Sequence, residues 1–95
     1  MEHPGLTVEW IVRGRVQGVG FRAYTAQCAR EMRVMGWVAN RRDGSVVVVA
    51  EGPVDALRGF EALVKRGPAL ARVDSLTETA MAPAGYTRFE IRQTT

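Results

Sequence analysis

Gly36-Trp37-Val38-Ala39-Asn40-Arg41-Arg42-Asp43-Gly44-Ser45-Val46-Val47-Val48-Val49-Ala50-Glu51 is the stretch on which the fold turns. Two apolar runs flank an Asp43-Gly44 pair, which supplies the positive φ angles of a tight hairpin turn. Gly36 to Asn40 and Val46 to Glu51 therefore read as adjacent antiparallel strands. Four consecutive valines, with no interrupting charge or proline, mark the returning strand as central in its sheet, buried on one face and flanked on both sides.

On either side of the hairpin the apolar period lengthens to that of a helix. Before it, Phe21, Thr25, Cys28, Ala29 and Met32 recur at i, i+3/i+4; after it, Val54, Leu57, Phe60 and Val64 do the same. Pro53 suits the first turn of the second helix, Gly59 weakens its interior, and Gly67-Pro68 closes it. Further out, Val8, Trp10 and Val12 alternate with Glu9, Ile11 and Arg13 as a first strand. At the other end a loosely patterned strand covers Val73 to Thr79, a turn falls at Pro83-Ala84-Gly85, and Thr87, Phe89 and Ile91 alternate as a last strand. The order is βαββα followed by one broken or two short strands. Two βαβ halves joined by a hairpin predict an α+β, ferredoxin-like βαββαβ sandwich, an antiparallel sheet with two helices on one face. Residues 1–95 are expected to form a single domain, with residues 1–6, including His3, as a flexible tail.

Composition narrows the function classes. No window approaches the roughly 18 consecutive apolar residues of a membrane span, and Met1 to Leu6 lack a signal-peptide pattern, so a cytoplasmic protein without membrane association is expected. The single Cys28 rules out an intrachain disulfide framework, and no CxxC or HxxxH spacing suggests a metal or other cofactor. Twelve arginines and one lysine give a net charge of +3, which favours anionic partners without distinguishing phosphates from nucleic acids.

The segment Gly14-Arg15-Val16-Gln17-Gly18-Val19-Gly20-Phe21-Arg22 carries the chemistry. Its glycines let the backbone curl so that successive amides face inward at the positive end of a helix, an anion cradle over which the Arg22 guanidinium can hold two phosphate oxygens. A loop that merely turns the chain is the alternative. The segment is neither a Walker loop nor a dinucleotide fingerprint. Asn40, near the end of the second strand, could accept a hydrogen bond from an attacking water or could simply cap the hairpin backbone.

Val12-Arg13-Gly14-Arg15-Val16-Gln17-Gly18-Val19-Gly20-Phe21-Arg22 resembles the first signature of the acylphosphatase family. Gly36-Trp37-Val38-Ala39-Asn40, three residues, then Gly44, Val46 and Gly52 resembles the second, at the family's spacing. The resemblance implies a ferredoxin-like fold and a cofactor-free hydrolase of small acyl phosphates that releases inorganic phosphate. It assigns phosphate binding to the amides of Arg15, Val16, Gln17, Gly18, Val19 and Gly20 and to the side chain of Arg22, and the attacking water to Asn40. The residues fit that chemistry: no general acid or base stands in the segment, and a carboxylate leaving group with a pKa of about 4 needs none. Cys28, on the buried stripe of its helix, reads as structural rather than nucleophilic.

Two positions depart from the family pattern. Arg33 stands at the end of the first helix where a glycine is common, and a left-handed arginine there costs roughly 1 kcal/mol. Val47 replaces a common glutamate. The main rival reading is a basic nucleic-acid-binding module, but no closely spaced sheet aromatics occur in the third strand, and Trp10 and Trp37 read as packing residues. A non-catalytic phosphate-binding domain, or a module serving a larger carbamoyl-transferring enzyme, is a further alternative. A monomer that binds no nucleic acid is expected, and the identity of the acyl group is left open.

Overall fold

The computed structural model describes residues 5–94; residues 1–4, and with them His3 and most of the expected tail, lie outside the described residues. The elements in chain order are β1 (Leu6–Arg15), α1 (Phe21–Met32), β2 (Met35–Asn40), β3 (Val46–Gly52), α2 (Val54–Arg66), β4 (Arg72–Ala80) and β5 (Phe89–Ile91). Leu6 thus opens a strand rather than ending a tail.

The central hairpin forms as the apolar runs require, with Asn40 opposite Val46 and Met35 opposite Glu51. Its turn differs from the expected one. Gly44 alone has a positive φ, of 94°, and three residues, not two, make the bend: Gly44 N–H donates to Arg41 O and Arg41 N–H to Ser45 O. Asp43 contributes through its carboxylate, which accepts from Ser45 N–H at 2.9 Å.

The strands run in the order β4-β1-β3-β2-β5, with β3 at the centre. Each of the first four is antiparallel to its neighbour, but β5 pairs in parallel with β2, Phe89 opposite Gly36 and Ile91 opposite Val38. The sheet of this ferredoxin-like sandwich is therefore mixed rather than wholly antiparallel. Both helices cover one face. Trp10 and Phe60 pack with ring centroids 5.5 Å apart, Phe60 and Phe89 meet edge-on at 5.8 Å, and Val12, Val46, Val48, Leu57 and Val64 fill the space between sheet and helices.

The opposite face is not left bare. Val47, Val49 and Ala39 are buried beneath Ile11, Trp37 and Tyr86, so β3 is covered on both faces, not one. Tyr86 arrives on the connection between β4 and β5, which Glu51 fastens: its carboxylate accepts from Thr7 Oγ1 at 2.6 Å, Ala84 N–H at 2.8 Å and Tyr86 N–H at 2.8 Å. These bonds hold the Glu51 carboxyl below the usual glutamate range, the Thr7 hydroxyl contributing most.

Helix ends follow local chemistry. Pro53 is the N-cap of α2 rather than part of its first turn. Gly59 faces α1, where a Cβ would lie 2.6 Å from the Met32 methyl, the free end of a flexible side chain that can shift aside. Arg33 closes α1 in the left-handed conformation, φ 59° and ψ 39°, with Val34 N–H donating to Ala29 O. On the surface, Arg58 binds Glu78 and Glu61, while Arg88 and Arg92 flank Glu90.

Candidate functional site

The loop after β1 is shaped by its glycines. Gly18 and Gly20 take φ values of 73° and 77°, where a side chain is strained. Gly20 is the N-cap of α1, no side chain caps the helix, and no acid stands in its first turn. The first helical N–H groups and the positive end of the helix dipole therefore face whatever occupies the loop. Val16 is buried in the core and anchors the near end.

Gln17 ties the loop to the hairpin. Its side-chain amide donates to Arg41 O at 2.7 Å and to Ser45 O at 2.8 Å. Because Asn40 precedes Arg41, this buckle sets the loop beside the end of β2. A cavity of about 240 Å³ opens there, several times the roughly 30 Å³ share of one water molecule. Val16, Gly18 and Gly20 line it from the loop; Phe21, Arg22 and Ala23 from the first turn of α1; Asn40 and Ile91 from the ends of β2 and β5.

Of the residues singled out from sequence, the structure thus gathers Val16, Gly18, Gly20, Arg22 and Asn40 around one space. Arg15, Gln17 and Val19 do not line it. Arg15 is exposed and opposite Arg72 at the end of β1, Gln17 is turned to the hairpin, and Val19 packs on the core. The Arg22 guanidinium donates to the main-chain oxygen of Arg92 at 3.3 Å. That bond engages one edge of the planar fork and leaves the rest for an anion. Among the described residues no carboxylate lines the cavity, so none of them repels an anion.

Titratable groups elsewhere take no place in it. Asp43 is held below the usual aspartate range by the Ser45 hydroxyl and N–H, with Arg13 4.0 Å away. Cys28 is buried beside Tyr24, and burial pushes its thiol up, away from the thiolate a nucleophile needs. Ile91 and the Arg92 carbonyl were not recognised from sequence as parts of the site. The alternation of Thr87, Phe89 and Ile91 marked only a last strand, and no local pattern could have shown that this strand ends beside Asn40.

The chain matches the family model described as Acylphosphatase over residues 8–91. It is 49% identical over 72 residues to an acylphosphatase of Nitrobacter hamburgensis, covering 76% of this chain and 73% of that one. The crystal structure of acylphosphatase from Bacillus subtilis superposes with a TM-score of 0.89 at 42% identity, covering 92% of this chain and 98% of the other. Full-length HypF in its phosphate- and nucleotide-bound form shares the fold, with a TM-score of 0.91 at 23% identity over 99% of this chain and 13% of that chain.

Proposed function

The chain belongs to the acylphosphatase family, enzymes that hydrolyse acyl phosphates, and on that premise we propose that Arg22 and Asn40 carry the reaction here. The observation behind this reading is that the two side chains, from separate elements, open onto one cavity with the loop glycines. The loop residues that line the cavity, Val16, Gly18 and Gly20, offer their amides to the phosphate beside the Arg22 guanidinium, and the Asn40 amide oxygen accepts a hydrogen bond from the attacking water. Water oxygen bonds to phosphorus as the bridging P–O bond breaks, and that electron pair leaves on the carboxylate. One water proton passes to a phosphate oxygen and the other stays on the attacking oxygen, so the step balances as carboxylate plus dihydrogen phosphate. A loose transition state spreads charge over the phosphate oxygens, which is where amides and guanidinium act.

The wider reading is a single domain acting as a monomer in the cytoplasm, without nucleic acid. Trp10 is fully buried and Trp37 lies under the Arg92 guanidinium, 4.6 Å from its ring centroid, so neither offers a free stacking face. The exposed large apolar side chains Leu6, Val54, Leu70, Met81 and Ile91 come from five different segments. Among the described residues no helix is long and apolar enough to cross a membrane.

Hydrolysis of benzoyl phosphate by the wild type, Arg22→Ala and Asn40→Ala, each checked for fold by circular dichroism, tests the assignment. Turnover should fall at least roughly 10²-fold in both variants. Competitive inhibition by inorganic phosphate should be lost in Arg22→Ala and retained in Asn40→Ala. A folded Arg22→Ala enzyme with wild-type turnover would sink the assignment.

A further inference from the structure

The cavity has a second wall that phosphate binding does not use. Phe89 and Ile91, two residues apart on β5, point to the same face of the sheet. Phe89 is 3% exposed and packs on Phe60, whereas Ile91 is 46% exposed and faces the cavity instead of the core. An isoleucine in a core-face register thus leaves nearly half its surface uncovered.

The other apolar lining residues cannot do the same work. Val16 and Phe21 are buried in the core, and Ala23 presents one methyl group. The position of Ile91 is fixed by main-chain bonds on both sides: Arg92 N–H donates to Val38 O at 2.8 Å, and Arg30 donates to Phe89 O at 3.1 Å. The polar end of the cavity holds glycines, Arg22 and Asn40, all engaged by phosphate and water in the reading above. Among the described residues the rest of the lining, Val16, Phe21, Ala23 and Ile91, carries only apolar side chains.

We propose that Ile91 is a specificity-determining residue: it forms a rigid apolar wall for the acyl substituent and gives this enzyme a preference for acyl phosphates with apolar aromatic or branched tails over acetyl phosphate. The proposal rests on the placement of phosphate at Arg22 and the loop. Burying the tail against Ile91 strengthens binding in proportion to the apolar area covered, while a methyl tail is too short to cover it.

The test is kcat/KM for acetyl, isobutyryl and benzoyl phosphate with the wild type, Ile91→Ser and Ile91→Leu. The expected result is that Ile91→Ser lowers the benzoyl-to-acetyl and isobutyryl-to-acetyl ratios by roughly 5- to 10-fold. Ile91→Leu should keep the preference, and inhibition by inorganic phosphate and the melting temperature should hold in both. Unchanged ratios in a folded Ile91→Ser enzyme would overturn the proposal, as would an equal loss on all three substrates. A wild type that hydrolyses none of them would overturn the catalytic reading and this proposal together.

Discussion

Arg22 and Arg92 meet through one bond: the guanidinium of the first donates to the main-chain oxygen of the second at 3.3 Å. The bond ties the first turn of α1 to the residue following β5. The side chain of Arg92 lies elsewhere, over the Trp37 ring and 3.6 Å from Glu90. Arg22 is thus oriented by a backbone group that the edge strand delivers.

Arg22→Lys keeps the charge but exchanges a planar fork for a point donor, which cannot hold the Arg92 oxygen and two phosphate oxygens together. Turnover of benzoyl phosphate should fall roughly 10²-fold, and inhibition by phosphate should weaken. Steady-state kinetics decide it; near-wild-type rates would mean that charge alone suffices.

Arg92→Ala leaves the main-chain oxygen in place and removes only the contact with Trp37 and the exposed pair with Glu90. It should cost about 0.5–1 kcal/mol of stability in urea unfolding while kcat stays within about threefold of wild type. A large loss of kcat would show that the side chain, not the backbone, places Arg22.

Glu51→Gln should destabilise the fold by about 1–2 kcal/mol at pH 7, because the charge-assisted bonds to Thr7, Ala84 and Tyr86 weaken. The sign follows from the lowered carboxyl: the folded state prefers the ionised form, so the stabilisation is present above the ordinary glutamate value of about 4.3 and is lost as pH falls below it. Thermal melts of both proteins from pH 7 to pH 3 should converge. A gap that persists at low pH would assign the effect to packing.

Arg33→Gly removes a left-handed side chain at the end of α1 and should raise stability by about 0.5–1 kcal/mol, seen as a higher melting temperature with unchanged kinetics. An unchanged or lower melting temperature would indicate that the arginine side chain offsets its own strain.

Much of this molecule was legible residue by residue, where the signal is local. The valine run named the central strand, alternation at Val8, Trp10 and Val12 named its neighbour, and two helical stripes filled the connections. Gly18, Gly20 and Arg22 fell together in the segment that forms the cavity wall, and Asn40 ended the strand expected for it. The hairpin bend was placed correctly but mistyped. An Asp-Gly pair is compatible with both a two-residue and a three-residue loop, and the hydrogen bonds of Arg41 and Ser45 select the latter.

The sequence by itself determined the first five elements, their order and the glycine loop before an arginine, because periodicity and backbone freedom are properties of neighbouring residues; it left open whether one broken or two strands follow. Only the tertiary structure decided that β5 joins β2 in parallel, that Tyr86 and its connection close the second face, that Gln17 buckles the loop to the hairpin, and that Ile91 stands uncovered beside Asn40. Each of these pairs groups far apart along the chain. Which partner each finds is set by where the whole sheet leaves an open edge, an apolar surface or an unmet carbonyl, and no local pattern carries that information.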